Sequence, residues 1–297
     1  MKAVYSQGYF ADIGEHVFPM AKYRLVRDAL IEGGILRDED FLQPSPASYE
    51  DLLLVHTEEY LGKLKEGNLD VSEQMILELP FTAELFSANI LMTGGTIAAS
   101  ETALREGISV NIGGGFHHAF PDHGEGFCML NDVAVAVKKA LKEDRAGKVL
   151  IIDCDLHHGN GTAFIFAEEK NVFTFSMHQE NNYPFHKPPG DMDIGLRDFA
   201  RDGEYLRTLG GNLGECIDFG PELAFYLAGA DIYEHDRLGG LKITAGGIAK
   251  RDEMVIRALR DKKIPAAVVL AGGYAACTGQ TCGIHCRTVE ICKGIAG

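Results

Sequence analysis

The stretch that decides the fold is Val149–Gly161, VLIIDCDLHHGNG, in which an apolar run passes directly into ionisable residues and glycines. The β-branched run at its start is typical of a strand that is buried on both faces of a parallel sheet. Alternate side chains of an extended segment face the same way, so Asp153, Asp155 and His157 project together. Carboxylates and an imidazole that converge in this way suit a divalent metal of the zinc type. The stretch therefore predicts a parallel sheet with a metal site at the end of one strand.

The same transition from an apolar strand to a polar loop occurs elsewhere in the chain. Ser109–Ile112 runs into the glycines and histidines of residues 113–118, and Ala266–Leu270 runs into Ala271–Tyr274. Segments with helical periodicity separate the strands, which is typical of a parallel sheet with helices on both faces. Ligands of such sheets bind beyond the carboxyl ends of the strands. We therefore expect one α/β domain whose functional site collects the loops that follow its strands.

Helical spacing of apolar residues predicts the main helices. These are Met20–Ile31, Glu58–Gly67, Ala83–Arg105 and Asn131–Lys142. A further β-branched strand is predicted at Val172–Ser176, and Tyr49–Leu54 is predicted to be the end of a strand.

The composition excludes some classes of ligand. The chain has 297 residues, of which 46% are hydrophobic and 24% charged, and its net charge is −15. Direct binding to nucleic acid is not expected, because phosphate contacts require clustered lysine and arginine. The negative net charge is compatible with cationic substrates. Solubility alone is the simpler explanation of this charge. No apolar run approaches the roughly 18 residues that cross a bilayer. The N-terminus also lacks the apolar core of a signal peptide, so we expect a cytoplasmic protein without membrane association.

Motifs spread over nearly the whole chain resemble those of the histone deacetylase superfamily, most closely its class IV and bacterial members. They occur in the order typical of that family. The matching segments are His16–Arg24, Gly113–Ala119, Gly126–Asp132, Asp153–Gly161, Gly229–Asp231, Asp236–Leu241 and Ala271–Tyr274. The resemblance implies one catalytic domain over residues 1–297 with the arginase–deacetylase architecture, a mostly parallel sheet of about eight strands.

The resemblance also implies a metal centre. Zinc, with iron as the alternative, would be ligated by Asp155, His157 and Asp231. A structural potassium ion would bind near it, with matching positions at Asp153, Ser176 and Met177. Zinc activates water and polarises a carbonyl group, and amide hydrolysis requires both.

The resemblance assigns proton transfer and oxyanion stabilisation to other residues of these motifs. By the resemblance, His117 and His118 flank the attacking water, and Tyr274 donates its hydroxyl to the substrate oxygen. Asp153 beside His117 would favour its charged form, whereas the neutral Asn160 would leave His118 a better free base. We therefore assign proton transfer to His118 and an electrostatic role to His117. Class I enzymes have an aspartate at the position of Asn160, whereas class II and IV members resemble this chain there.

The acyl-lysine side chain would enter a tunnel. Gly126 and Phe127 match one wall, and the opposite wall is either Tyr183 or Phe185. The Gly272-Gly273 pair before the tyrosine would place no Cβ in the way of substrate. The acidic rim residue by which class I enzymes hold the peptide backbone has no recognisable counterpart in this sequence.

We expect a zinc-dependent amidohydrolase that removes acetyl or longer acyl groups from lysine side chains of proteins. An alternative substrate is an acetylated polyamine or another small acylated amine. A binuclear manganese ureohydrolase would need more bridging carboxylates than the aspartate-rich strand end supplies. A non-catalytic module that binds acyl-lysine is a further alternative, although the histidines and the tyrosine of an enzyme are all present. The sequence does not indicate an oligomeric state.

Overall fold

A parallel sheet of eight strands forms the centre of the protein in the computed structural model, which describes residues 1–296. The strands are β1 (Lys2–Val4), β2 (Phe41–Leu42), β3 (Ile108–Asn111), β4 (Val149–Asp153), β5 (Val172–Gln179), β6 (Met192–Leu196), β7 (Leu223–Leu227) and β8 (Ala266–Val269). Their spatial order is β2-β1-β3-β8-β7-β4-β5-β6, and every pair is parallel. All carboxyl ends therefore lie along one edge of the sheet.

Helices pack on the sheet between the strands. They are α1 (Lys22–Glu32), α2 (Tyr49–Leu52), α3 (Glu58–Glu66), α4 (Val71–Leu77), α5 (Ala83–Glu106), α6 (Asp132–Lys142), α7 (Asn160–Phe166), α8 (Asp202–Asp218), α9 (Ala245–Asp261) and α10 (Thr278–Ala296). Helices α1, α8, α9 and α10 form one group, in which α10 contacts α1 and α9, and α9 contacts α8. Helices α5 and α6 pack against each other in a second group. Strands β4, β7 and β8 are fully buried, as their continuous apolar sequences require. Within residues 1–296, none of the helices is both long enough and apolar enough to cross a membrane.

The α/β class and the parallel sheet with helices are confirmed, and the sheet is parallel throughout rather than mostly so. The prediction that Tyr49–Leu54 ends a strand is wrong, because residues 49–52 form α2. A capping box explains this helix: Ser48 Oγ accepts a hydrogen bond from the Asp51 amide, and the Asp51 carboxylate accepts one from the Ser48 amide. This local pairing favours a helical turn over the strand preference of the apolar side chains.

A buried arginine ties α9 to the ends of two central strands. Arg251 is fully buried and donates hydrogen bonds from Nη1 to the carbonyl oxygens of Cys154, at 3.1 Å, and Gly229, at 2.6 Å. Its Nε donates to Asp252 Oδ1 at 2.9 Å, and Asp252 also accepts from the Tyr226 hydroxyl at 2.6 Å. The two carbonyl groups follow β4 and β7 just before the polar loops begin. Arg251 therefore fixes the direction in which both loops leave the sheet.

Replacing Arg251 with methionine should destabilise the protein strongly, because it leaves the buried Asp252 carboxylate without its cation. Breaking one side of a buried ion pair costs about 3–5 kcal/mol of unfolding free energy. The matched control is Arg257→Met, since Arg257 pairs on the exposed face of α9 with Glu253. That change should cost under about 1 kcal/mol. Urea unfolding of the two variants measures the difference, and equal losses would contradict this role for Arg251.

Candidate active site

The loops that carry the predicted site residues converge at the carboxyl edge of the sheet. They follow β3, β8, β7, β4 and β5, which are neighbours in that order. The loop after β3 carries the paired histidines, and the loop after β8 carries Tyr274. Asp231 lies in the loop after β7, and Asp155 and His157 in the loop after β4. The parallel arrangement thus brings together residues that are far apart in the sequence.

A buried triad of Asp155, His157 and Asp231 has the geometry of a metal site. One ligand atom from each residue lies within 4.8 Å of the others. The backbone holds the carboxylates in place: Asp231 Oδ1 accepts from the Leu156 amide at 2.9 Å, and Asp155 Oδ2 accepts from the Gly272 amide at 2.9 Å. The remaining carboxylate oxygen of Asp231 is buried and has no hydrogen-bond partner. A buried carboxylate oxygen in this state requires a partner such as a cation.

The electrostatics of the triad also fit a cation. Burial and the neighbouring Asp155 carboxylate raise the pKa of Asp231 to about 7. Burial disfavours the charged form of His157, but the carboxylates of Asp155 and Asp231, which lie 3.2 and 3.4 Å from its Nδ1, outweigh it and raise its pKa to about 10. The two carboxylates contribute to both shifts, since without a counterion they attract positive charge. The three residues therefore fit a divalent ion with oxygen and nitrogen ligands.

The paired histidines have different partners. His117 Nδ1 donates to Asp153 Oδ2 at 2.6 Å, and His118 Nδ1 lies 2.7 Å from Asn160 Oδ1. Burial disfavours the charged form of His117, but Asp153 and Asp155 outweigh it and raise the pKa to about 9. Burial, followed by the proximity of His117, lowers the pKa of His118 well below its usual range. At neutral pH the charged His117 therefore lies beside a neutral His118.

The glycine loop before the histidines is held from inside the protein. The buried Asp132 carboxylate accepts hydrogen bonds from the amides of Gly115, at 3.0 Å, and Phe116, at 2.8 Å. Gly114 has a positive φ of 77°, and a side chain there would collide with Asp132 and with Thr96 Oγ1. Only glycine allows this close approach of backbone and carboxylate. The loop therefore presents both imidazoles in fixed positions.

Tyr274 lies between an inner cavity and the outer tunnel, since it lines both. The Tyr274 amide donates to Asp236 Oδ2 at 2.6 Å, and Arg237 Nε donates to the Tyr274 carbonyl at 3.2 Å. Burial, followed by Asp155, raises the pKa of the phenol well above its usual value. The hydroxyl group therefore keeps its proton at neutral pH and can act as a hydrogen-bond donor.

A tunnel of about 170 Å³ leads to the triad from the surface. Phe127 lines it with a positive φ of 67°, an unfavourable conformation for a residue with a side chain. Its ring makes edge contacts with His16 and Tyr274, at 5.3 and 5.8 Å between ring centroids. Gly126 is required because a Cβ there would lie 2.8 Å from the Tyr183 ring and 3.0 Å from His118. Tyr183 therefore faces Gly126 and forms the opposite wall.

The other candidate for that wall, Phe185, lies outside the tunnel. Its side chain is fully exposed and borders a separate surface groove of about 430 Å³. Gly272 lines the inner cavity, and a side chain there would collide with the Asp231 and Asp155 carboxylates. A side chain at Gly273 would meet Thr281 and Ala230 behind the site. Glycine at both positions therefore leaves room for the carboxylates of the triad and for the backbone turn, and the clearance expected for substrate stays a prediction.

The residues predicted for potassium are also close together. Asp153 pairs with Ser176 across β4 and β5, and Met177 follows on the same buried strand. Ser176 Oγ lies 3.0 Å from His178 Nδ1, and Asp153 Oδ1 accepts from the Asp155 amide at 3.0 Å. These hydrogen bonds occupy the side-chain oxygens in the present structure.

Sequence reasoning missed two acidic residues of the site. Glu78 lines the tunnel at the end of α4, with a positive φ of 57°. Glu125 accepts hydrogen bonds from Asn160 Nδ2 and from the Tyr183 hydroxyl. No periodic pattern marks Glu78, whereas Glu125 directly precedes the recognised segment Gly126–Asp132 and could have been noticed there.

The sequence matches the histone deacetylase domain over residues 16–288. The chain belongs to the histone deacetylase family. It is 35% identical to histone deacetylase 2 of Arabidopsis thaliana over 285 residues, which cover 91% of this chain and 74% of the plant protein. It is 40% identical to an uncharacterized protein of Picosynechococcus over 274 residues, covering 92% of this chain and 91% of that protein.

A solved structure of a histone deacetylase homologue complexed with SAHA has the same fold, with a TM-score of 0.84 and 24% sequence identity. The match covers 99% of this chain and 84% of that one. Members of this family are hydrolytic deacetylases and are generally metal-dependent. The present chain is a deacetylase of this type, and its buried triad is a candidate site for the ion.

Substituting Gly272 with alanine should weaken metal binding in this deacetylase, because the added methyl group displaces the Asp231 and Asp155 carboxylates. The matched control is Gly283→Ala, which has open space around its position in α10. Elemental analysis after equilibration with limiting zinc measures the metal bound per chain. We expect about 10-fold or greater loss of affinity in Gly272→Ala and none in the control. Equal metal content in both variants would argue against the triad as the site.

Proposed function

We propose that this protein is a zinc-dependent deacetylase that hydrolyses acetyl-lysine side chains of proteins. The observation that carries the proposal is the convergence of the Asp155–His157–Asp231 triad, the paired histidines and Tyr274 at the inner end of one tunnel. Two carboxylates and one imidazole form a donor set that zinc accepts, with iron as the alternative. When bound there, the ion would activate a water molecule and polarise the acyl oxygen.

Proton transfer is assigned to His118. Its low pKa leaves the imidazole neutral, so it can accept a proton from the attacking water. The water oxygen forms a bond to the acyl carbon, the carbon–nitrogen bond breaks, and His118 returns the proton to the departing lysine amine. His117 remains charged beside Asp153 and stabilises the negative charge that develops on the acyl oxygen.

Tyr274 is assigned to the acyl oxygen. The phenol is buried, protonated and placed between the inner cavity and the tunnel, where the acyl group must lie. A donor held in advance at the position of a developing oxyanion stabilises the transition state more than the ground state.

The size of the inner cavity favours acetyl over longer acyl groups. Its volume is about 20 Å³, which accommodates about one water molecule or a methyl group. A longer chain would have to displace Phe18, Tyr23 or Phe116, which line the cavity. Such aromatic side chains are costly to move within a packed interior.

The surface outside the tunnel favours a polypeptide over a polyamine. The outer groove of about 430 Å³ adjoins the tunnel, since Glu78 and Tyr183 line both. Met75 and Phe185 on its rim are 73% and 104% exposed, an uncommon state for large apolar side chains. A linear acetylated polyamine would occupy the tunnel alone, whereas a peptide would also cover this groove.

The potassium site remains part of the proposal. Asp153 and Ser176, together with the Met177 backbone, lie behind the triad at the junction of β4 and β5. A monovalent cation there would offset the negative charge of Asp153, which also holds His117.

The Tyr274→Phe variant should lower kcat by about 100- to 1,000-fold with little change in stability, because it removes one oxyanion donor and keeps the ring. Release of acetate from an acetyl-lysine peptide by the zinc-loaded enzyme measures the effect. Tyr49→Phe, at an exposed position of α2, is the control and should match the wild type. Full activity of Tyr274→Phe would contradict the assigned role.

A substrate panel tests the specificity. Acetyl-lysine peptides should exceed octanoyl-lysine peptides and acetylspermidine in kcat/KM by at least about 10-fold. The small inner cavity disfavours the octanoyl group, and acetylspermidine makes no contacts with the outer groove. The Phe185→Ser variant should raise KM for peptides that carry an apolar residue beside the acetyl-lysine and leave acetylspermidine unaffected. If the wild-type enzyme prefers acetylspermidine, the proposed protein substrate is wrong and a polyamine is the substrate.

A further inference from the structure

We propose that Glu125 is a positioning residue for catalysis: it orients the Asn160 amide and thereby selects the tautomer of His118. The inference rests on the proposed role of His118 as the proton carrier. Glu125 itself does not reach the triad, and it acts through the residues between them.

Glu125 borders the outer groove beside the tunnel wall and has three polar neighbours. Its Oε1 accepts hydrogen bonds from Asn160 Nδ2, at 2.7 Å, and the Tyr183 hydroxyl, at 2.8 Å. His123 Nε2 lies 3.6 Å from Oε2, and the side chain is 18% exposed. Burial disfavours the charged form, but the nearby His123 and the hydrogen bonds from Tyr183 and Asn160 outweigh it and lower the pKa of Glu125. The carboxylate is therefore ionised at neutral pH.

An ionised carboxylate can only accept hydrogen bonds, so the atom of Asn160 that faces Glu125 must be the NH₂ group. The amide oxygen then faces His118, where it lies 2.7 Å from Nδ1. Because that oxygen can only accept, the proton of the neutral His118 must be on Nδ1. The lone pair is left on Nε2, the nitrogen that lies 3.1 Å from His117 Nε2. Through Asn160, Glu125 thus favours the tautomer in which Nε2 of His118 can receive a proton.

Without Glu125 the amide would lose this constraint. A rotation of the Asn160 amide by half a turn would present the NH₂ group to His118 and move the histidine proton to Nε2. In that tautomer His118 cannot accept a proton at Nε2, and its N–H would face that of the charged His117. A substantial fraction of inactive tautomer is the expected consequence.

The same contact explains why residue 160 is asparagine. An aspartate there would place a second carboxylate against Glu125, at the 2.7 Å now spanned by a hydrogen bond. Like charges at that distance destabilise each other, and one of them would have to take up a proton. Asn160 and Glu125 therefore form a unit in which each residue depends on the identity of the other.

A double-mutant cycle at positions 125 and 160 tests the unit. With Asn160 unchanged, Glu125→Ala should lower kcat by about 10- to 100-fold with a smaller change in KM, as outer partners of catalytic groups typically do. Asn160→Asp alone should also lose activity through repulsion with Glu125. In the double variant, Glu125→Ala should restore the activity that Asn160→Asp lost, because either oxygen of an aspartate accepts the Nδ1 proton.

Tyr183→Phe separates the two contacts of Glu125. It removes the tyrosine hydrogen bond and leaves the one to Asn160, so its effect should fall mainly on KM. A direct readout is the tautomer of His118, from long-range ¹H–¹⁵N correlation spectra of histidine-labelled protein as purified, assigned with His118→Ala. Nδ1 should be protonated in the wild type and in Tyr183→Phe, with a mixture of tautomers in Glu125→Ala.

The inference is overturned if Glu125→Ala has the same effect in the wild-type chain and in the Asn160→Asp variant, or if the His118 tautomer is unchanged in Glu125→Ala. Thermal unfolding of each variant identifies any loss that comes from misfolding, and the tautomer readout then decides. If instead His118→Ala retains full activity, the proposed role of His118 fails, a result separate from the test of Glu125.

Discussion

The arrangement of the site depends on the buried hydrogen bonds of Arg251. Its guanidinium group holds the carbonyl oxygens of Cys154 and Gly229, which lie just before Asp155 and Asp231. Two carboxylates that share a buried site repel each other, so their backbones would separate unless something fixed them. The planar guanidinium group suits this purpose because its donors point in fixed directions and it stays charged. The candidate metal triad is thus held in position by a cation on α9 that lies outside the tunnel.

A hydrogen-bonded series of charged and neutral side chains runs through the two histidines. The negative Asp153 holds a positive His117, which lies 3.1 Å from a neutral His118. On the far side, Asn160 separates His118 from the negative Glu125. One histidine therefore contacts a carboxylate directly and the other does so only through a neutral amide. This difference supports the roles proposed for the two imidazoles, an electrostatic one for His117 and proton exchange for His118.

Much of this site follows from two periodicities. Strand alternation predicts that Asp153, Asp155 and His157 share one face, although β4 ends at Asp153 and the other two lie in the bend that follows it. The parallel sheet brings the loops after its strands to one edge. The choice between Tyr183 and Phe185, and the contact between Glu125 and Asn160, depend on how irregular loops meet, and no periodic pattern encodes that. Glu78 reaches the tunnel only because a short helix ends in a left-handed residue. The Tyr49–Leu54 error arose because a capping box outweighed the strand preference of its apolar residues.

The distance of the Glu125 carboxylate from His118 also affects the proton affinity of that histidine. A carboxylate at residue 160 would contact His118 directly and raise its proton affinity, as Asp153 does for His117. Glu125 lies one hydrogen-bonded group further away and is partly exposed, so solvent weakens its attraction for a proton on His118. The neutral amide therefore transmits the orientation set by Glu125 while it transmits little of the charge. In this chain, the proposed unit of Glu125 and Asn160 therefore orients a neutral His118 beside a charged His117 and adds little charge to it.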